Sequence, residues 1–303
     1  MKTPRWVWPR FDVDSHAISD RTRYVWRGGQ LRRGKVVLAV GDPTTMLTLS
    51  PVTGEVDRLS SIQTAIDTLS NAGGGLLKLD EGKYYLSSAP IHKTNVDVVG
   101  SGGRKFQILP ISTWTGGADD PQNALWKMRG SLDTTKLDST LTATAEKGAP
   151  QITVAAVGTL QPLDWIWIEG RNVPIAPDSD GAPNVIRREP LQVASTYTPG
   201  STTIPLTWPT LQAHTTGLSV KGLVPLLNAA LVGADFYAPA GPVAVGVLAE
   251  YASNILVENL EGAGCSRALF NARGLHDFHV QAVHSRGELN SIVMLESALA
   301  GSV

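Results

Sequence analysis

The sequence predicts an all-β fold built from stacked, repeated coils. Only 17% of its 303 residues are charged, against about 25% in typical soluble domains, and it holds 30 glycines and 19 prolines. Short apolar stretches lie between these turn-forming residues, which is typical of many short strands. A repeat of about 20–26 residues near the C-terminus then predicts that the strands stack into a solenoid.

One clear helix is predicted at the beginning of the solenoid, over residues 60–72. Ser60 and Gln63 have the spacing of a capping box. Four apolar side chains recur at the spacing of one helix face: Ile62, Ala65, Ile66 and Leu69. Gly73–Gly75 ends the helix. The sequence therefore places an amphipathic helix of about three turns between two β-rich stretches.

The clearest repeat places residues 253–262 over residues 276–285, at an offset of 23. The apolar positions of the two copies coincide: Ile255 with Phe278, Val257 with Val280, and Leu260 with Val283. A weaker copy upstream sets Asn228 over Asn254. Because each coil buries its inward side chains only when a neighbour stacks on it, we expect a continuous core and a ladder of polar side chains at one turn.

We divide the chain into four parts. Residues 1–58 form a basic and aromatic N-terminal segment with short strands, and residues 59–137 hold the helix and the first coils. Residues 138–222 read as an antiparallel β insertion, since apolar and polar positions alternate and Gly and Pro punctuate the strands. Residues 223–303 return to the coils. Because an open solenoid exposes strand edges, we expect that another subunit covers this end or that the native chain continues.

Charge is concentrated at the N-terminus. Residues 1–35 hold nine Lys and Arg against three Asp and Glu. Basic and aromatic side chains alternate there, as in segments that dock into a protein partner: Trp6, Trp8, Arg23, Trp26, Arg32 and Arg33. Single-stranded nucleic-acid binding uses similar residues, but no nucleic-acid fold follows. A terminus folded against its own chain is the third interpretation.

The stretch from Ser60 to Gly102 resembles the pectate-lyase-like, right-handed parallel β-helix superfamily. In that superfamily an Ile-Gln-x-Ala-Ile-Asp helix precedes a Gly-rich turn, a strand, a Tyr strand, and an Asn-Val strand leading into Gly-x-Gly. The matching residues are Ile62, Gln63, Ala65, Ile66, Asp67, Gly73, Gly74, Gly75, Leu77, Leu79, Glu81, Gly82, Tyr84, Tyr85, Ile91, Asn95, Val96, Val98, Gly100 and Gly102. Asp80-Glu81-Gly82 replaces the common Pro-x-Gly turn. The resemblance implies a right-handed parallel β-helix, and it carries over no catalytic residue.

The whole pattern resembles phage tailspike and tail-fibre proteins, which carry such an inserted β-domain. This resemblance implies a homotrimer in the virion tail. Residues 1–58 would dock on other tail or adaptor proteins, and the β-helix would bind, and in some relatives depolymerise, a host surface polysaccharide. A free carbohydrate-active enzyme (a polysaccharide lyase, epimerase or hydrolase) is one alternative. A purely structural virion component is the other.

The coil repeat also indicates a candidate chemical site. At an offset of 23, Glu261 stacks on His284, with Glu258 and His279 nearby on the outward side. Two imidazoles and two carboxylates could perform acid–base chemistry on a glycan. Arg286 and Glu288 follow His284 in the sequence and are candidate substrate-binding residues. The alternative is a solvated face with an ordinary Glu–His pair.

Several other classes of protein are disfavoured. Net charge −1 and pI ≈ 6.6 argue against a nucleic-acid protein, and no stretch approaches a membrane span. The N-terminus lacks a signal-peptide core, so the protein either stays inside the cell that makes it or leaves by another route, such as on a virus particle. The tailspike resemblance implies the second route and an extracellular location in the virion tail. A single cysteine, Cys265, excludes an internal disulfide, and we expect no metal or cofactor.

The remaining aromatic and histidine residues have ordinary structural explanations. His92 and His214 stand alone in the sequence and read as structural histidines rather than ligands. Five tryptophans could stack on sugars, although at least half should be core residues: Trp114, Trp126, Trp165, Trp167 and Trp208.

Overall fold

The computed structural model describes residues 22–27, 30–35, 45–114, 120, 122–171, 186–238, 243–286 and 291–296. Over these residues the chain is a right-handed parallel β-helix with an α-helix at one end and an antiparallel β insertion between two coils. The predicted fold class is confirmed.

The described residues form one α-helix and nineteen strands. The helix α1 spans Leu59–Asn71. The strands are β1 Thr22–Arg27, β2 Gln30–Lys35, β3 Met46–Leu49, β4 Gly75–Leu79, β5 Gly82–Leu86, β6 Val96–Gly100, β7 Phe106–Pro110, β8 Ala124–Arg129, β9 Ser131–Thr140, β10 Gln151–Thr153, β11 Trp165–Arg171, β12 Ile186–Gln192, β13 Thr203–Pro205, β14 Ser219–Val224, β15 Leu226–Val232, β16 Ala234–Tyr237, β17 Val245–Ala263, β18 Ala268–Ser285 and β19 Ser291–Glu296.

Three parallel sheets form the walls of the β-helix. Sheet 1 stacks β3, β4, β6, β15 and the middle of β17 and β18. Sheet 2 stacks β5, β7, β16 and the ends of β17 and β18. Sheet 3 stacks β8, the beginnings of β17 and β18, and β19. The chain therefore passes through all three sheets once in each complete coil.

The predicted register of the C-terminal coils is confirmed. Ile255 pairs with Phe278, Val257 with Val280, and Leu260 with Val283. On sheet 1 the inward column is almost wholly buried and apolar: Leu77, Val98, Leu231, Val257 and Val280. Burying one Val or Leu side chain contributes about 1.5–3 kcal/mol, so the stacked column stabilises every coil that it passes through.

Helix α1 covers the first coils as the sequence predicts, but its cap differs. The predicted apolar stripe is the buried face of the helix. The capping box is wrong: the Asp57 carboxylate accepts from the Leu59 backbone N–H at 3.0 Å. Gln63 instead exchanges two hydrogen bonds with the Ile91 backbone, at 2.8 and 3.1 Å. These two hydrogen bonds join the helix to the segment that contains Ile91, and they occupy the Gln63 amide that a capping box would use.

The insertion folds around its own core. Its main sheet has the antiparallel order β12-β11-β14-β9, and β10 pairs separately with β13. Ile166 and Ile168 point into this core, whereas Trp167 packs on the opposite side with Leu223 and Tyr251. Because side chains alternate along β11, one face of the strand packs into the core of the insertion and the other face packs against the β-helix.

The insertion leaves and rejoins the β-helix at one place. Gly130 follows β8, and the chain returns at Val224 and Leu226. A Cβ atom on Gly130 would lie 2.5 Å from the Val224 carbonyl oxygen and 2.8 Å from the Leu226 nitrogen. The outgoing and returning strands are thus in direct backbone contact.

Aromatic side chains lock the insertion against the coils. Trp167 meets Tyr251 edge to face at 4.9 Å, and the Trp208 ring stacks on His276 at 4.4 Å with an interplanar angle of 13°. Of the five tryptophans considered as sugar platforms, three are buried in cores: Trp114, Trp126 and Trp167. Trp165 and Trp208 are half-buried at this junction. Their rings contact each other, and both contact the His276 ring.

The predicted polar ladder is present at the corner that leads into sheet 1. Asn228 donates to Asn95 at 3.0 Å, and Asn254 donates to Asn228 at 2.7 Å. All three have positive φ, between 52° and 61°. Asp277, with φ 52°, occupies the same turn position in the next coil. The same left-handed turn therefore recurs at this corner in successive coils.

Candidate functional site

The four residues predicted as a catalytic set divide between two faces. Glu258 and His279 lie on the outward side of sheet 1, where His279 contacts Gln281 at 2.8 Å. Glu261 and His284 are register partners on sheet 2, as predicted. The left-handed residue Asn259, with φ 56°, turns the chain between them. Only Glu261 and His284 therefore share a surface.

An uninterrupted line of polar residues follows the outward side of sheet 2, one from each strand. In order, this sheet 2 column consists of Lys83, Gln107, Asp235, Glu261 and His284. At about 4.8 Å between strands, the column is about 19 Å long. Most neighbouring members come from successive coils, whereas Gln107 and Asp235 are separated by the insertion and meet only because the coils stack.

Ion pairs join the middle of the column. Glu261 pairs with Lys105, and Arg286 approaches Glu261 to 3.8 Å. Arg286 also pairs with Asp235, which accepts from the Gln107 amide at 3.1 Å. The predicted binding residue Arg286 is thus part of the cluster, whereas Glu288 lies outside the described residues.

The electrostatics of the cluster favour the charged form of Glu261. The hydrogen bond from Lys105, with the nearby Arg286 and His284, holds the pKa of Glu261 below its ordinary value, although partial burial opposes this. Glu261 is therefore an anion near neutral pH and is not poised to donate a proton. Two carboxylates and two cations arranged in this way offer hydrogen-bond donors and acceptors with little net charge.

Sequence reasoning missed Lys105 and Asp235. Asp235 had a signal: the same offset of 26 that sets Asn228 over Asn254 sets Asp235 over Glu261, and the structure pairs them. Lys105 had none. It precedes β7 at a turn, 156 residues before Glu261 in the sequence, and only the folded coils show that the two meet.

The two lone histidines are structural, as predicted. His92 is buried, with Nε2 at 2.7 Å from the Val96 carbonyl oxygen, and its Nδ1 accepts from the Trp126 indole at 3.2 Å. Burial lowers the pKa of His92 to about 4. His214 is buried beside Glu189, whose carboxylate also accepts backbone hydrogen bonds from Leu211 and Gln212. Cys265 is a buried thiol within the core.

Other kinds of site are not found among the residues that the structure describes. Within those residues, no three His, Cys, Asp or Glu side chains group closely enough to hold a metal ion. None of the described helices has the length and apolar character required to span a membrane.

The candidate docking residues all lie outside the described side chains. Trp6 and Trp8 fall outside the described residues. Arg23 and Trp26 belong to β1, and Arg32 and Arg33 to β2. The two strands pair as an antiparallel hairpin.

The chain is similar to solved structures but not to characterised sequences. No family model matches it, and no curated protein matches it. It is similar to the Gp54 tailspike of Acinetobacter baumannii bacteriophage AP22, which was solved with A. baumannii capsular saccharide. The identity is 17% and the TM-score 0.53, over 76% of this chain and 34% of that one.

Two tailspikes of Pseudomonas phages are similar to the same extent. The gp49 protein of phage LKA1 has 15% identity and a TM-score of 0.53, over 76% of this chain and 36% of that one. The gp61 protein of phage phi297 has 14% identity and a TM-score of 0.54, over 81% and 42%. The chain spans well under half the length of these proteins. It therefore has the right-handed parallel β-helix fold that is found in phage tailspikes.

Proposed function

We propose that this chain is a tailspike-like virion protein that binds a host cell-surface polysaccharide along the outward side of sheet 2. The sheet 2 column carries the proposal, because it is a straight polar surface with both donors and acceptors. A linear glycan lying across the strands would meet one of these side chains at every coil. The capsular saccharide bound to the AP22 tailspike, a protein of the same fold, supports this choice of ligand.

The proposed assembly follows the tailspike-like interpretation. Residues 1–58 would dock on other tail or adaptor proteins, with the basic and aromatic residues as contacts, and the β-helices would associate as a homotrimer. The protein would then be located in the virion tail, outside the host cell. The β1–β2 hairpin supports the docking proposal, since a two-stranded hairpin is marginal alone and gains stability against a partner.

A carbohydrate-active enzyme is the second candidate function. Asp235 and Glu261 are register partners on neighbouring strands, about 4.8 Å apart in the backbone, and retaining glycosidases hold two carboxyl groups about 5–5.5 Å apart. For a lyase, Lys105 or Arg286 could neutralise a uronate carboxylate. The lowered pKa of Glu261 favours binding or a base role over proton donation. A purely structural virion protein would show neither binding nor turnover.

The binding proposal is tested by removing one charge from the column. We expect Glu261→Gln to release Lys105 and Arg286 from their shared partner and to weaken polysaccharide binding about tenfold, since hydrogen bonds to charged groups contribute about 1.5–3 kcal/mol. Affinity is measured by biolayer interferometry on immobilised capsular polysaccharides. Glu258→Gln is the matched control, because it removes the same charge from the outward side of sheet 1.

The possible results separate the candidate functions. Equal affinities for the two variants would contradict the location of the site, and no binding to any host polysaccharide would contradict the function. For the enzyme, we expect Glu261→Gln or His284→Ala to lower turnover more than about a hundredfold with the fold intact. An unsaturated product absorbing in the ultraviolet would identify a lyase.

A further inference from the structure

We propose that the cleft at the first strand of the sheet 2 column binds an acidic sugar unit through the Lys83 ammonium and the Tyr85 ring. The inference rests on the proposed polysaccharide binding and names the chemical class of the ligand. It assigns a role to a surface that lies three strands away from the Glu261 cluster.

A loop crossing β5 creates this cleft. Its volume is about 420 Å³, and it is lined by Pro51, Val52, Thr53, Gly54, Lys83 and Tyr85. The Pro51 ring lies directly over Gly82, where a Cβ atom would come within 2.5 Å of Pro51 Cγ. Gly82 also has φ 143°, which disfavours other residues. The glycine therefore allows the loop to approach and form one wall, while β5 forms the floor.

The Lys83 ammonium is available to a ligand. It is exposed, and no ion pair joins it to a carboxylate among the described residues. The acidic side chains on neighbouring segments are engaged elsewhere: Asp57 with Ser87, Asp80 with Ser50, and Glu81 with Arg104. Lys105 and Arg286, by contrast, are already paired with carboxylates of the column. Lys83 is thus the cation of the column that a ligand carboxylate can approach without displacing a protein carboxylate.

Tyr85 supplies an apolar surface beside this charge. Residues 83 and 85 point to the same side of β5, and Tyr85 is half-buried in the floor of the cleft. An aromatic ring beside an ammonium group matches a sugar that carries a carboxylate, because the ring contacts the sugar C–H groups while the ammonium pairs with the charge. From this cleft the column continues through Gln107 to Asp235, so a longer chain could extend along it.

The experiment compares one polysaccharide in two chemical forms. The probes are hexuronate-containing capsular polysaccharides and the same polymers after reduction of their carboxyl groups to alcohols. We expect wild type to bind the acidic form about tenfold more tightly than the reduced form. Lys83→Gln should abolish this preference without changing affinity for the reduced form. Lys78→Gln, which removes a cation from the outward side of sheet 1, should retain it.

Each outcome bears on the proposal separately from the proposed function. Tyr85→Leu should weaken binding of both forms, because the aromatic contact does not depend on the sugar charge. Binding that is equal for the acidic and reduced polymers, or is unchanged in Lys83→Gln, would overturn the acidic-sugar subsite and leave polysaccharide binding intact. Failure of wild type to bind either form would overturn both.

Discussion

Three asparagines show how single residues set the corners of the coils. Asn95, Asn228 and Asn254 each adopt the left-handed backbone conformation, which asparagine tolerates better than most residues. Their side-chain amides then bond to one another along the axis. Asparagine thus suits the left-handed backbone of the corner and also supplies the hydrogen bonds between coils. The spacing of the repeats aligned Asn228 with Asn254, whereas Asn95, 133 residues before Asn228, joins the ladder only in the structure.

A buried histidine links the stability of the protein to pH. The pKa of His92 is about 4 in the folded chain against an ordinary 6.5, so the unfolded chain binds the proton more tightly. The contribution of His92 to the free energy of unfolding is therefore fully present above about pH 6.5. It falls by about 3 kcal/mol as the pH is lowered to 4. Urea unfolding of wild type at pH 7 and pH 4 measures the loss.

The histidine contribution is isolated by His92→Gln. We expect the variant to be less stable than wild type at pH 7, because the Trp126 indole loses its nitrogen acceptor. It should lose less stability than wild type between pH 7 and pH 4. An identical pH dependence in the two proteins would show that His92 is not the group responsible.

The charged cluster was only partly predictable at this scale. Glu261, His284 and Arg286 could be placed because they lie in the two most regular coils, where a fixed offset aligns them. Asp235 lies before those coils, at a different offset, and Lys105 lies at a turn where no periodic pattern applies. Contacts between residues separated by the insertion depend on the three-dimensional stacking, which local patterns do not encode.

Among the elements, helix α1 separates what periodicity predicts from what tertiary contacts decide. Its buried stripe follows from the spacing of the apolar residues. Its cap does not, because Gln63 has a better set of partners on the Ile91 backbone, and those lie 28 residues away in the sequence. Local rules therefore identified the element and its buried face but not its first hydrogen bonds.

The contact between β11 and β18 is expected to be intolerant of added volume. A Cβ atom on Gly274 would lie 1.9 Å from Trp167 Cη2, and Gly274 has φ 56°. We expect Gly274→Ala to destabilise the protein by about 3 kcal/mol or more, from steric overlap and backbone strain together. Chemical denaturation followed by tryptophan fluorescence measures the change.

The control for this contact is a glycine with strain but no neighbour. Gly200 has φ 89°, and a Cβ atom there would meet nothing within 4 Å. Gly200→Ala should therefore cost only the backbone strain, about 1–2 kcal/mol. Equal losses for the two substitutions would mean that Trp167 moves aside freely and that the junction is loose.

For the whole molecule, the assembly state separates the proposed virion protein from a free enzyme. The tailspike-like interpretation predicts a homotrimer, with a solution mass about three times the 32.2 kDa of one chain. Size-exclusion chromatography with light scattering measures this directly. A stable monomer with a cooperative thermal transition would contradict the trimer, and turnover by that monomer would favour the carbohydrate-active enzyme.

The architecture of the molecule was more predictable than its surface. Strands that repeat at a fixed period favour stacking, so a solenoid, the capping helix and the antiparallel character of the insertion followed from spacing and alternation. That the solenoid is a right-handed parallel β-helix was implied by the family resemblance of residues 60–102. The cleft beneath the Pro51–Gly54 loop did not, since it depends on how closely that loop approaches Gly82. That distance is set by tertiary packing, and the only sign of it in the sequence is the glycine at position 82.

The contact at Gly130 brings the two ends of the insertion together. A Cβ atom on Gly130 would lie 2.5 Å from the Val224 carbonyl oxygen, so a change of length between these ends does not have to separate the coils on either side. The insertion is nevertheless joined to the β-helix at a second place, where Trp167 meets Tyr251 and Trp208 stacks on His276. A foreign domain grafted at Gly130 would therefore have to cover the coil surface that these two tryptophans now bury.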